Sequence, residues 1–287
     1  MTKTILVTGA TGTIGAQVVS ALKGRSDVAV RAAVRNTAKA EALKGGNVTP
    51  VDFEFTQPEL MQKAVRGVDA LFLVTPFSPE QVDQAAQLID FAQAAGVKQV
   101  VKLSALGVAV TPSIQLARWH RTVERYLAGS GLTYTLLRPN NFMENFINFY
   151  GPGPDGNIYL PWGQAACSFI SGADVAAVAA AALTSPGHEN KSYDLTGPES
   201  FTLAQAASAI GEATGRKIQY VDVPESAASK GMLDAGMPAW MVDAMMQLHA
   251  LNKAGYASAV TDSVQKITDR AGTSFSQFAR QHAARWK

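Results

Sequence analysis

The chain has 287 residues, 47% of them hydrophobic and 17% charged, with a net charge of +2. That length can bury a large core, and the balance excludes a disordered or strongly basic nucleic-acid-binding chain. A lone cysteine, Cys167, excludes an internal disulfide, and the longest N-terminal apolar run, Ile5-Leu6-Val7, is too short for a signal peptide or membrane span, so a cytoplasmic protein is expected.

Thr4 to Thr8 reads as a first strand, and Ile14, Val18 and Leu22 follow at helical spacing. Val28 to Val34 is a second strand and Val48 to Phe53 a weaker third. Pro58 opens a short helix marked by Leu60, Met61, Ala64 and Val65. Ala70 to Thr75, nearly all apolar, is a fourth strand of the kind buried on both faces. A helix over Gln81 to Ala95 stops at Gly96. Gln99 to Ser104 and Thr133 to Arg138 are the fifth and sixth strands, with a helix over Gln115 to Ala128 between them. This alternation predicts an α/β fold, a Rossmann-type doubly wound parallel sheet over residues 1–150. Beyond Pro139 the rhythm breaks into a Gly-Pro loop at 151–156, a strand at Ile158 to Leu160 and a helix opened by Asp174. A strand at Ser192 to Leu195, a helix over Thr202 to Thr214 and a helical, Met- and Ala-rich remainder follow. Residues 151–287 are expected to form a smaller C-terminal α/β lobe, interwoven with elements that return to the first domain.

The run Thr8-Gly9-Ala10-Thr11-Gly12-Thr13-Ile14-Gly15 places three glycines between strand and helix. Glycines there allow a tight turn and let backbone approach a pyrophosphate, which then sits on the N–H groups of the helix start. No Lys-Ser or Lys-Thr follows, which excludes a P-loop. The second strand ends Ala33-Val34-Arg35-Asn36 with no acid to hold a ribose hydroxyl. Arg35 can instead pair with a 2′-phosphate, with Lys39 one helical turn beyond, so NADPH is preferred over NADH. Asp52 and Phe53 end strand three, where this fold brings side chains near the adenine. Thr75, Pro76 and Phe77 end strand four and Ser104 ends strand five, on the sheet edge where ligands bind. For Asp52 a capping role, and for Arg35 plain solvent exposure, are the competing readings.

None of the seven tyrosines is followed four residues later by Lys, the pair that donates a proton in many short-chain reductases. Leu116 and His120 stand where that pair would fall. His120 is the one candidate acid, against the plainer reading of an ordinary helix histidine. Without the pair, reduction of an ordinary ketone lacks its proton donor. Quinones, azo compounds and triarylmethane cations spread the incoming charge themselves and need less help. The remaining histidines, His188, His249 and His282, lack ligand spacing, so no metal is expected.

The spacing Gly9-x-x-Gly12-x-x-Gly15 is shared with short-chain dehydrogenase/reductase relatives. With Val34-Arg35-Asn36, Gly67-Val68-Asp69, Ala95-Gly96-Val97-Lys98, the run Leu137 to Asn145 and Gly187-His188-Glu189-Asn190, the chain resembles the NmrA-like group of atypical members. Within that group it looks most like the reductases of azo compounds, triphenylmethane dyes and quinones. The resemblance implies an NADP-binding Rossmann domain with a small lobe closing over a substrate cleft. It gives Arg35 the 2′-phosphate, Thr75 and Pro76 the cofactor path, and Pro139, Asn140, Asn141 and Phe142 a place beside the nicotinamide. Phe77, Phe142, Met143, Phe146, Phe149 and Trp162 would then line a pocket for a planar aromatic substrate, with core packing as the plainer reading for each. Met232, Met237 and Trp240 would add a lid. An NADPH-dependent reductase is the leading expectation, with a homodimer as one candidate assembly that the sequence leaves open; an NADP-sensing regulator without turnover is the alternative.

Overall fold

A computed structural model describes residues 2–37, 40, 43–108 and 113–287. The chain divides into two compact units. The first comprises Met1–Val108, Arg118–Arg138 and Gly172–Asp194, and the second comprises Ala109–Ala117, Pro139–Ser171 and Leu195–Lys287. Each unit is thus built from three separate segments of the chain.

In chain order the first unit opens with β1 (Lys3–Val7), α1 (Thr13–Leu22), β2 (Val28–Val34) and β3 (Val48–Asp52). It continues with α2 (Pro58–Val65), β4 (Ala70–Leu73), α3 (Gln81–Ala94), β5 (Gln99–Leu103), α4 (Gln115–Gly129) and β6 (Thr133–Pro139). Next come α5 (Asn145–Asn148), β7 (Asn157–Leu160), β8 (Ala166–Cys167), α6 (Gly172–Thr184) and β9 (Lys191–Leu195), followed by β10 (Phe201–Thr202) and α7 (Leu203–Thr214). The chain closes with β11 (Gln219–Asp222), α8 (Glu225–Asp234), α9 (Ala239–Lys253), α10 (Ser263–Thr268) and α11 (Phe275–His282).

Seven strands form one sheet in the order β3-β2-β1-β4-β5-β6-β9. The neighbours from β3 to β6 pair in parallel. Strand order reverses between β1 and β4, the switch point at which such sheets hold ligands. Helix α1 packs against α6, whose alanine-rich sequence allows close approach. On the opposite face, α2, α3 and α4 bury Met61, Leu88, Ile89, Val123 and Leu127 against Leu6, Leu71, Leu73 and Val100. Strand β4 ends at Leu73 and not at Thr75, for a local reason. The Thr8 hydroxyl accepts from the Val74 N–H at 2.7 Å and donates to the Val74 carbonyl at 2.8 Å, replacing a ladder partner.

The second unit has an aromatic core. Phe146 lies 5.0 Å from Phe169 and 4.8 Å from Phe275, and Trp162 stacks on Phe169 at 5.7 Å and 9°. Two small sheets frame it, antiparallel β8–β10 and parallel β7–β11. Capping boxes open α7 (Thr202 with Gln205) and α11 (Ser274 with Gln277). No helix of the described residues is long and apolar enough to cross a membrane.

Candidate dinucleotide and reduction site

Gly9 adopts φ +61°, and its carbonyl accepts from the Gly12 N–H at 2.8 Å, which closes the turn after β1. A Cβ on Gly15 would stand 2.1 Å from the Gly9 carbonyl oxygen, so only glycine lets α1 start this close to the loop. At the start of α1, Gly12 offers no capping side chain and the first turn carries no acid. The positive end of the helix is therefore open to an anionic group.

Arg35 is exposed just past β2, and Asp52 is exposed at the end of β3. Lys39 lies outside the described residues. Thr75, Pro76 and Phe77 follow β4 at the same carboxyl edge, with the Thr75 hydroxyl 3.4 Å from Gln81 Oε1. The loop, the open helix start and the Arg35 guanidinium together suit a pyrophosphate and a further phosphate, and the residues present fit an NADP-type dinucleotide. Among the described residues no cluster of three or more His, Cys, Asp or Glu could hold a metal ion.

Several expected contacts are corrected by packing. The Phe53 ring is buried edge-on against Phe55 at 4.9 Å, so it belongs to the core and not to an adenine surface. The Thr8 hydroxyl is committed to β4, which leaves only its backbone for a ligand. The Ser104 hydroxyl is buried and donates to Glu124 Oε1 at 2.6 Å. In the second unit, the Asn140 amide donates to Ser168 Oγ and the Ala257 carbonyl, both at 2.8 Å. Met143, Phe146 and Trp162 are 0–1% exposed and packed in that unit's core. Phe149 points the other way and is 76% exposed.

The sheet edge also carries groups that the sequence reading passed over. Strand alternation puts Val100, Lys102 and Ser104 on the face covered by α4. Lys102 is fully buried; its Nζ donates to the Leu103 carbonyl at 2.8 Å and lies 3.1 Å from His120 Nδ1. One helical turn beyond His120, Glu124 accepts a two-pronged contact from Arg138, at 2.9 Å from Nε and 2.7 Å from the terminal nitrogen. Burial lowers Lys102 to about 7 against the opposing pull of Glu124. Desolvation, and then the Lys102 charge, hold His120 well below the usual imidazole range. Next to it on α4, Trp119 meets Phe77 edge-on at 5.9 Å. The signal in the sequence was a lysine interrupting an otherwise apolar strand, Val100-Val101-Lys102-Leu103.

A parallel sheet with a glycine-turned helix start at its switch point defines a dinucleotide-binding α/β protein. The chain belongs to the NmrA-like family, whose model matches residues 1–277. It is 38% identical over 281 residues to an NAD(P)H azoreductase of Xenophilus azovorans, covering 98% of each chain. The NADPH complex of an Escherichia coli quinone oxidoreductase superposes with a TM-score of 0.85 at 27% identity, covering 97% of this chain and 98% of that one. The NADP(H) complex of the Citrobacter triphenylmethane reductase gives 0.84 at 25% identity, over 99% and 100%.

Proposed function

We propose that this protein is an NADPH-dependent reductase that delivers hydride to a conjugated aromatic acceptor such as a quinone, an azo compound or a triarylmethane dye. Bound NADPH would supply the hydride. The open α1 start with Gly9, Gly12 and Gly15 would hold the pyrophosphate, and Arg35 the 2′-phosphate. The observation that carries the reading is the carboxyl edge of the sheet. It carries the glycine turn, the open start of α1 and Arg35, which support dinucleotide binding, yet α4 has Leu116 and His120 where a Tyr and Lys would serve ordinary carbonyl reduction. An acceptor that delocalises its own charge suits that edge. The activities named for the similar azoreductase, quinone oxidoreductase and triphenylmethane reductase support the same class.

The test is anaerobic turnover of purified protein with NADPH against a panel of quinones, azo dyes and triarylmethane cations. Acceptor-dependent NADPH oxidation is expected. Tight NADP binding with no oxidation against any acceptor would overturn the reading in favour of a cofactor-sensing regulator.

A further inference from the structure

A lysine ammonium is expensive to bury, and proteins ordinarily compensate it with a bonded carboxylate. Lys102 is instead bonded to a neutral carbonyl and to an imidazole, while the nearby carboxylate of Glu124 is held by Ser104 and Arg138. An ammonium can only donate, so the His120 Nδ1 facing it must present its lone pair. The ring is then neutral, with its proton on Nε2, and it remains partly exposed on α4. A cation behind one ring nitrogen and a donor hydrogen on the other is the arrangement of a two-step proton donor.

We propose that His120 is the catalytic acid of the reductase and that Lys102 is the positioning residue that fixes its tautomer and reprotonates it. The inference rests on the reductase reading above. Hydride from the reduced nicotinamide leaves a quinone oxygen or azo nitrogen holding an electron pair. The His120 Nε2–H bond breaks as the new O–H or N–H bond forms. His120 Nδ1 gains the proton released by Lys102 Nζ; water then protonates Nε2, leaving hydroxide, while Nδ1 returns its proton to the neutral Lys102 amine, which restores the ammonium and the Nε2–H tautomer. One hydride and one proton thereby reduce the quinone to a hydroquinone or the azo compound to a hydrazo compound. A triarylmethane cation is neutralised by hydride alone and draws nothing from the pair.

The groups facing Lys102 set the pH dependence: His120 and Glu124 on α4, with Arg138 on β6 holding Glu124. Since the donor form is the protonated lysine, quinone turnover should fall as pH rises through about 7, the value to which burial lowers Lys102.

The experiment compares kcat for a quinone and a triarylmethane cation in the wild type, Lys102→Met and His120→Gln. A positioned acid contributes about 10²–10⁴-fold, so the quinone-to-dye ratio should drop by about 10² or more in both variants. Lys102→Met should also lose the fall above neutral pH. Independently of turnover, ¹⁵N-histidine NMR should show His120 as the neutral Nε2–H tautomer, assigned by its absence in His120→Gln. That signal should shift toward the other tautomer in Lys102→Met. An unchanged ratio, an equal loss with both acceptors, or an unaltered His120 signal in Lys102→Met would overturn the relay alone. A wild type that oxidises NADPH with neither acceptor would overturn the reductase reading and the relay with it.

Discussion

At Gly15 a single hydrogen separates a binding loop from a blocked one. With a Cβ 2.1 Å from the Gly9 carbonyl oxygen, Gly15→Ala must push the loop or the helix aside. Overpacking of this kind costs about 1–3 kcal/mol, so calorimetry should show NADPH binding weakened by about 5- to 150-fold. Arg35 makes a different prediction. Hydrogen bonds to a charged phosphate contribute about 1.5–3 kcal/mol, so Arg35→Ala should raise the NADPH dissociation constant about 10- to 150-fold while NADH affinity barely moves. Comparing the two cofactors in one titration series checks it. The lone cysteine has no comparable role: burial pushes the Cys167 thiol up to about 12, far from a reactive thiolate.

At the scale of elements, the alternation was legible because buried strands and amphipathic helices differ in period. Strands β1 to β6 fall within two residues of where their apolar runs place them. The glycine turn was legible too, since only its position between strand and helix gives three glycines a meaning. The short elements β8, β10 and α5 were not, because two to four residues carry no period. The spacing of Met143 and Phe146 is ambiguous for a physical reason. Helical spacing says that residues share a face but not whether that face meets a ligand or a core, and here Phe146 anchors the rings of the second unit. Conversely, Lys102, Glu124 and Arg138 lie far apart in sequence, so only the pairing of β5 with β6 beneath α4 brings them together.

At the scale of the whole molecule, each unit has its own core, and the second contains a buried acid-sensitive joint. In the second unit Trp162 Nε1 donates to His249 Nδ1 at 2.8 Å, and an indole can only donate. His249 must therefore stay neutral, and burial lowers it to about 4. The unfolded chain takes up a proton near pH 6.5 and the folded one only near 4. The stability held by this group is complete above about pH 6.5 and is lost as pH falls toward 4, to a total of about 3 kcal/mol. Urea unfolding followed at pH 7 and pH 4.5 should show that loss in the wild type and a much smaller one in His249→Gln. The edge-on contact of Phe77 with Trp119 has an optical consequence for the other unit. Indole emission overlaps the absorption band of a reduced nicotinamide, and Trp119 sits on α4 beside the loop that follows β4 at the switch-point edge. NADPH, but not NADP, should therefore quench tryptophan emission, and Trp119→Phe should reduce that difference.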